Sequence, residues 1–158
     1  MPHFIYPFTH VGNLGKDSIY RPYVPVMVMC PNTGLAQGFM ALVDTGADAC
    51  LMPGGVTRIL GNAINTGKSN PNGATGVGAT KMPTWKHELI ITLMSPDKRG
   101  PIWIGKTLEI DCAEQTNLSV LLGTIGFLEN FKATFDYANK RLILEFEHPK
   151  PAKEEEKK

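Results

Sequence analysis

Cysteine is scarce in this sequence. Only three cysteines occur in 158 residues, and Cys30, Cys50 and Cys112 lie far apart, each among apolar neighbours. Three isolated cysteines form neither a disulfide framework nor a zinc-binding pattern. We therefore interpret each of them as a small residue of the hydrophobic core.

The sequence also lacks an excess of charge and a long apolar run. The formal net charge is +1, so no nucleic-acid partner is predicted. No uninterrupted apolar stretch reaches the roughly 18 residues of a membrane span, and residues 1–7 do not resemble a signal peptide. These absences predict a cytoplasmic protein without a membrane partner.

Histidine gives no sign of metal chemistry. The four histidines are scattered without metal-ligand spacing, and no Gly-x-Ser-x-Gly nucleophile motif is present. His87 lies within an apolar, alternating stretch, where we expect it to be a surface residue and not a catalyst. No metal site and no cofactor are predicted.

Glycine and proline are frequent, with 16 and 12 residues, and they divide the chain into many short segments. Nine or ten strands and two short helices, 56–60 and 124–130, are predicted; no assignment is made for 10–21. This pattern favours an all-β barrel or sandwich. One domain is expected over 1–147, followed by a charged, disordered tail over 148–158. The predicted strands cover 4–8, 23–29, 37–43, 50–52, 85–94, 102–104, 107–110, 118–123, 132–137 and 141–146.

One fragment resembles a nucleotide-binding loop. Gly67-Lys68-Ser69 ends like a P-loop, but Asn62 stands where that motif has its first glycine. The following residues, 70–73, are Asn-Pro-Asn-Gly, which does not start the helix that would hold the phosphates. The sequence therefore argues against a nucleotide site here.

The most informative stretch is Ala41–Met52, in which a continuous apolar run leads directly into Asp44-Thr45-Gly46. An ordinary turn is one interpretation, since Asp and Gly are common in turns. The apolar residues on both sides instead indicate a buried strand that ends on a carboxylate, and an ionised Asp is rarely buried without a partner.

A second unusual stretch is rich in glycine. Gly73 to Thr80 places Val77 between Gly76 and Gly78, just before a predicted strand. Glycine permits positive φ and adds flexibility. The stretch is therefore either an ordinary flexible loop or a hairpin flap that closes over a ligand.

Three blocks together resemble the retropepsin-type aspartic proteases, the family of the retroviral proteases and their cellular and bacterial relatives. They are Asp44-Thr45-Gly46-Ala47, the glycine-rich stretch around Val77, and Leu121-Leu122-Gly123 before a predicted short helix. They occur in the family's order over roughly residues 23–147. The Asp-Thr-Gly triplet alone is a weak signal, and the three blocks together are a fairly strong one.

The resemblance implies a closed β-barrel with a flap hairpin and one or two short helices. It also implies an aspartic endopeptidase that acts on polypeptides as a homodimer, because one chain carries one Asp-Thr-Gly. Two copies of Asp44 would share a proton and activate a water. The implied site residues are Asp44 as catalyst, Thr45 and Gly46 in support, and Ala47, Asp48, Gly76, Val77 and Gly78 in substrate binding.

The sequence departs from the family at one position. Many retroviral members have Arg after the glycine of the third block, where it pairs with the acidic residue that corresponds to Asp48; this chain has Thr124. Asp48 is therefore either a solvated side chain or a contact to substrate backbone. A catalytically silent dimerisation or peptide-binding module is the alternative function.

Overall fold

The computed structural model describes residues 1–75 and 81–147. These residues contain thirteen strands, one α-helix, α1 (Val56–Ile59), and 3-10 helices at Ile64–Thr66 and Leu128–Asn130. The prediction of an all-β chain is confirmed, although strands are more numerous than expected. The strands are β1 (His3–Pro7), β2 (Thr9–Leu14), β3 (Asp17–Arg21), β4 (Tyr23–Met29), β5 (Ala36–Val43), β6 (Leu51–Met52), β7 (Lys68–Thr75), β8 (Lys81–Met94), β9 (Pro101–Ile104), β10 (Leu108–Ala113), β11 (Val120–Leu122), β12 (Lys132–Asp136) and β13 (Arg141–Glu145).

Most strands belong to one sheet, in the order β10-β6-β11-β5-β4-β8-β7, with β9 beside β8. β10 pairs with β6 at one end of this order and also with β8 near the other end. The sheet therefore closes on itself as a ring of strands, as the predicted closed β-structure requires. Closure leaves β7 and β9 as outer strands, each paired with β8.

The core lies along the inward face of this ring and continues to buried residues of β1 and β13. Alternate residues of β4 and β8 point inward, since Val24, Val26 and Val28 are buried on one strand and Leu89 and Ile91 on the other. Alternation of this kind follows from the two-residue period of a strand. All three cysteines are free and buried, which confirms their interpretation as core residues.

His87 corrects a prediction, because it is buried and not on the surface. It is only 7% exposed, and its Nε2 lies 2.7 Å from the carbonyl oxygen of Ile64. Residues 87, 89 and 91 alternate with more exposed residues along β8, so the side chain of His87 lies on the same buried face of the strand as Leu89 and Ile91. The hydrogen bond to Ile64 satisfies the ring nitrogen in this position.

A second sheet has the order β1-β13-β12. β1 is at its edge, as Pro7 predicted, and β12 and β13 form the expected hairpin. Leu142, Leu144 and Phe146 are buried on one face, which confirms the alternation. Tyr6 links the two sheets, since its hydroxyl donates to the carbonyl oxygen of Met94 at 2.7 Å.

The short helix α1 lies between two glycines in the left-handed region. Gly55 has φ of 91° and Gly61 has φ of 85°. The amide of Gly61 donates to the carbonyl oxygen of Arg58 at 3.0 Å, as expected for a glycine that ends a helix. The predicted helix over 56–60 and its termination are confirmed.

The helix predicted over 124–130 is largely wrong. Only Leu128–Asn130 is helical, as a single 3-10 turn. Ile125 is 61% exposed, whereas Phe127 is fully buried against Trp103 and Phe131. Burial of Phe127 and backbone hydrogen bonds from Thr124 and Ile125 hold this segment in place of an amphipathic helix.

Two predicted features lie outside the described residues. They are the tip of the flap, with Gly76, Val77 and Gly78, and the tail over 148–158. The two arms of the hairpin, β7 and β8, are described and pair antiparallel.

Candidate active site

Asp44 follows directly on the end of β5. β5 pairs antiparallel with β4 and parallel with β11, so that Val43 lies opposite Leu122. The amide of Asp44 donates to the carbonyl oxygen of Leu122 at 3.0 Å, and the residue as a whole is half-buried. The fold therefore places this carboxylate where two neighbouring strands end together.

The loop after Asp44 curls around its side chain. The amide of Gly46 donates to Oδ1 of Asp44 at 2.9 Å, and the amide of Ala47 donates to the carbonyl oxygen of Asp44 at 3.2 Å. A Cβ atom added at Gly46 would lie 3.2 Å from the same Oδ1, which is a tight contact. Glycine thus allows the loop to present an N–H group to the carboxylate.

A second loop, starting at Gly123, locks the first one in place. The amide of Thr124 donates to the carbonyl oxygen of Ala47 at 3.0 Å, and the amide of Ile125 to that of Asp48 at 2.8 Å. A Cβ atom at Gly123 would lie 2.5 Å from the carbonyl oxygen of Ala49. Only glycine permits this approach of the two backbones.

The side chain of Asp48 is exposed and makes no ion pair within the part of the chain that the structure describes. Its backbone carbonyl oxygen, in contrast, accepts the hydrogen bond from Ile125. Thr124 uses its backbone amide to hold the loop and leaves the carboxylate of Asp48 open to solvent. Thr45 is also exposed.

Beside Asp44 lies a half-buried, mainly apolar surface that the sequence interpretation missed. Leu42 of β5 lies opposite Tyr23 of β4 on one side and opposite Leu121 of β11 on the other. Because side chains alternate along a strand, Leu42 lies on the same face as Asp44, two residues further. The hydroxyl groups of Tyr23 and Ser119 are 2.9 Å apart. The two-residue alternation of side chains along β5 was the sequence signal that would have identified this surface.

The base of the β7–β8 hairpin is fixed by Asp111 of β10, which was also missed. Oδ1 accepts hydrogen bonds from Thr84 at 2.7 Å and Asn70 at 3.2 Å, and Oδ2 lies 3.3 Å from Nζ of Lys86. The side chain of Asp111 is 13% exposed, so this carboxylate is well screened from water. A single Asp in an alternating strand gave no indication of these partners.

One surface cavity lies away from Asp44. It has a volume of about 810 Å³ and is lined by α1 and the neighbouring loops, including Arg58, Asn62 and Glu114. A single chain therefore does not enclose the candidate catalytic carboxylate in this cavity.

The fragment that resembles a P-loop has the wrong structure for a nucleotide site. Lys68 and Ser69 begin β7 and pair with Lys86 and Trp85 of β8. A Cβ atom at Gly67 would lie 2.6 Å from the carbonyl oxygen of Lys86, so this glycine serves close packing. No helix N-terminus follows it to bind phosphate, and the structure contradicts the nucleotide alternative.

The described ranges contain neither a metal-ligand cluster nor a membrane-spanning helix. No group of three or more His, Cys, Asp or Glu side chains in residues 1–75 and 81–147 is placed to hold a metal ion. Within the same ranges, no helix has the length and apolar character needed to cross a membrane.

This chain is similar to solved protein structures. No protein-family model matches the chain, and no curated protein matches it. The crystal structure of a retropepsin-like aspartic protease from Rickettsia conorii superposes with a TM-score of 0.57 at 21% identity, covering 92% of this chain and 91% of that one. This chain has a retropepsin-like fold.

The protease of EIAV, solved with an inhibitor, is also similar, with 20% identity and a TM-score of 0.38. The match covers 72% of this chain and 88% of that chain. The predicted retropepsin-like fold is thus confirmed through the Rickettsia structure.

Proposed function

We propose that this chain is an aspartic endopeptidase that acts as a homodimer, with Asp44 of each copy forming the catalytic pair. The observation that carries the proposal is the position of Asp44. Asp44 follows the paired strands β5 and β11, and its carboxylate accepts the amide of Gly46. The loop that carries Asp44 is held at Ala47 and Asp48 by a second loop that starts at Gly123. The retropepsin-like fold supports the same function.

A second copy is needed because one chain supplies one Asp-Thr-Gly. Two carboxylates about 3 Å apart repel by roughly 5 kcal/mol at an effective dielectric constant of 20. Such a pair holds a single proton over a broad pH range, as in the known aspartic proteases. The two-fold axis of a homodimer would bring two identical carboxylates together.

The shared proton gives the pair two roles. The ionised carboxylate takes a proton from a water molecule, which attacks the peptide carbonyl carbon, while the protonated carboxyl group donates a hydrogen bond to the carbonyl oxygen. Neither role belongs permanently to one copy, since the titration is a property of the pair.

The remaining site residues support this chemistry in the proposal. Thr45 would connect the two loops across the axis, and Gly46 orients the carboxylate. Ala47 and Asp48 would contact substrate backbone. Gly76, Val77 and Gly78, which lie outside the described residues, would cover the bound peptide as an added strand.

The test is cleavage of a peptide library by the wild-type chain and by the Asp44→Asn variant, with and without a pepstatin-type inhibitor. We expect inhibitor-sensitive cleavage by the wild type and none by the variant, because an amide cannot act as the base. Asp17→Asn, which changes an exposed carboxylate of β3 outside the proposed site, is the matched control and is expected to keep cleavage. Equal activity of wild type and Asp44→Asn would refute the proposal, and a folded wild type without any cleavage would favour the silent peptide-binding module.

A further inference from the structure

One half of β5 has an open backbone edge. β4 pairs with β5 along Ala36–Val43, whereas β11 pairs only with 41–43 on the other side. In the described part of the chain, no other backbone segment donates to or accepts from 36–40 on that second side. One exposed side chain, Gln37, donates to the carbonyl oxygen of Gly38 at 3.4 Å, a long contact that an added strand would replace. An unpaired edge is a template for an additional strand.

The outer face next to this edge is apolar and has a glycine in its floor. Met27, Met40 and Met94 surround Gly38 in a groove of about 240 Å³, and Met40 is 41% exposed. Gly38 is paired with Met27 across the strands. Because Gly38 has no side chain, a side chain of an added strand would cross it and reach the sulfur of Met27.

The size of the groove restricts its occupant. At about 240 Å³ it is smaller than the roughly 300–1,000 Å³ of small-molecule sites. It is suited to one large apolar side chain, and flexible methionines adapt to several such side chains. An extended peptide is therefore a better occupant than a cofactor.

The lining of the groove includes one cation. Lys98 contributes to the lining and makes no ion pair among residues 1–75 and 81–147. Its neighbours Asp97 and Arg99 pair with each other at 3.6 Å. The turn fixes its backbone at φ of 62°, and the amide of Lys98 donates to the carbonyl oxygen of Ser95 at 2.8 Å. An acidic group on the occupant would complement this charge.

We propose that the open edge of 36–40 and the methionine groove form a docking site for an extended peptide, separate from the candidate active site. The peptide adds a strand beside β5, places one large apolar side chain over Gly38, and directs a carboxylate towards Lys98. Backbone pairing supplies affinity, and the groove and Lys98 supply selectivity. This proposal does not depend on catalysis.

The test uses a capped synthetic peptide in which leucine alternates with threonine and one end carries glutamate. Its binding to the Asp44→Asn protein is followed by calorimetry and by backbone NMR. We expect saturable binding with shift changes at 36–40 and at Lys98. A copy of the peptide with N-methylated amides along one edge should not bind, because it cannot pair with the strand.

Gly38→Val is the decisive variant, since valine suits a strand and its Cβ atom has room. That atom would lie 3.4 Å from the sulfur of the flexible Met27 side chain and 3.9 Å from the carbonyl oxygen of Val26, which are ordinary contacts. The valine fills the floor of the groove, so binding should weaken by at least about tenfold. Lys98→Glu should weaken binding only when the peptide carries glutamate. Lys16→Glu, an exposed lysine outside the groove, is the charge control and should bind with little change.

Several results would overturn the proposal. They are absence of binding, binding that survives both Gly38→Val and N-methylation, or binding displaced by a pepstatin-type inhibitor, which would place the peptide beside Asp44. A fall in oligomeric state caused by Gly38→Val would identify a second copy of this chain as the occupant, and would equally exclude the proposed peptide.

Discussion

At the scale of single residues, glycines decide how closely the backbone loops of the candidate site approach each other. Gly46 allows an amide to reach the carboxylate of Asp44, and Gly123 allows one loop to lie against the carbonyl oxygens of Ala47 and Ala49. The sequence indicated the importance of both positions through the resemblance. Their physical role is visible only when the two loops, about 80 residues apart in sequence, are brought together.

Gly123→Ala is expected to destabilise the protein by about 1–3 kcal/mol, because the added Cβ atom collides with backbone that cannot rotate away. Urea denaturation measures this loss. Gly100→Ala is the matched control, since a Cβ atom there has no heavy atom within 4 Å, and its effect should stay within about 0.5 kcal/mol. An equal effect of the two substitutions would contradict the packing argument.

Stability at alkaline pH should depend on a buried thiol. Burial, with a smaller contribution from the charge of Asp111, raises the pKa of Cys112 from 9.0 to about 12. Above the unfolded pKa the folded state binds more protons than the unfolded state, so the free energy of unfolding falls as the pH rises from 9.0 to about 12.

The measurement is urea denaturation between these two pH values for wild type and Cys112→Ala. The variant loses core packing at every pH, but its stability should fall less steeply with pH. Parallel pH profiles for the two proteins would show that this thiol is not responsible. Burial also raises the pKa values of Cys50 and Tyr6. The free energy of unfolding of Cys112→Ala should therefore still fall somewhat as the pH rises.

At the scale of elements, the strands that alternate or run continuously apolar were predictable, and β4 matches its predicted range. His87 was misplaced because its polarity was given more weight than its parity with Leu89 and Ile91. The hairpin of β2 and β3 was not assigned, because its many turn residues obscure a strand pattern, and its register shifts between His10 and Gly12. Local sequence does not encode the tertiary partners that decide such cases.

The residues of the candidate site likewise include some that the sequence could predict and some that it could not. Asp44 and its loop were predictable because the motif is contiguous. Tyr23, Ser119 and Asp111 were not, since each acquires its role from a residue at least 25 positions away. The prediction of a helix over 124–130 was wrong for a related reason. Burial of Phe127 in the core outweighed the helical spacing of its apolar neighbours.

Asp111→Ala should loosen the base of the β7–β8 hairpin. The substitution leaves the buried Thr84 hydroxyl and Lys86 without their acceptor, at a cost of about 1–3 kcal/mol. Hydrogen exchange of the β7 amides should accelerate more than exchange in β12. Glu109→Ala, an exposed carboxylate on the same strand, is the control; if it accelerates β7 as much, the network is not the cause.

At the scale of the whole molecule, the proposed activity belongs to a pair of chains. Activity per chain should therefore fall on dilution, with a midpoint that matches the dimer dissociation constant from sedimentation. The isolated chain has its own hydrophobic core, which joins the ring of strands to β1 and β13, so circular dichroism should be retained at the dilution where activity is lost. Constant activity per chain across dissociation would contradict a shared site.

The division into a domain over 1–147 and a tail over 148–158 remains a proposal. We expect a chain ending at 147 to keep the thermal midpoint and peptidase activity of the full chain, because the tail has few apolar side chains to bury. Thermal denaturation and the peptide digest test this. A marked loss of either would assign the tail a structural or catalytic part.

The pairing of β1 with β13 has a consequence for synthesis. His3 lies opposite Glu145, and the strands that support Asp44 join residues 41–43 to 120–122. A ribosome must therefore release the chain as far as residue 145 before the first pairing is complete and as far as residue 122 before the second is complete. Such high contact order slows folding. A nascent chain that stalls before residue 120 would carry the Asp-Thr-Gly triplet without the strand that pairs beside it. Under the proposed function, such a fragment would lack the support that positions Asp44.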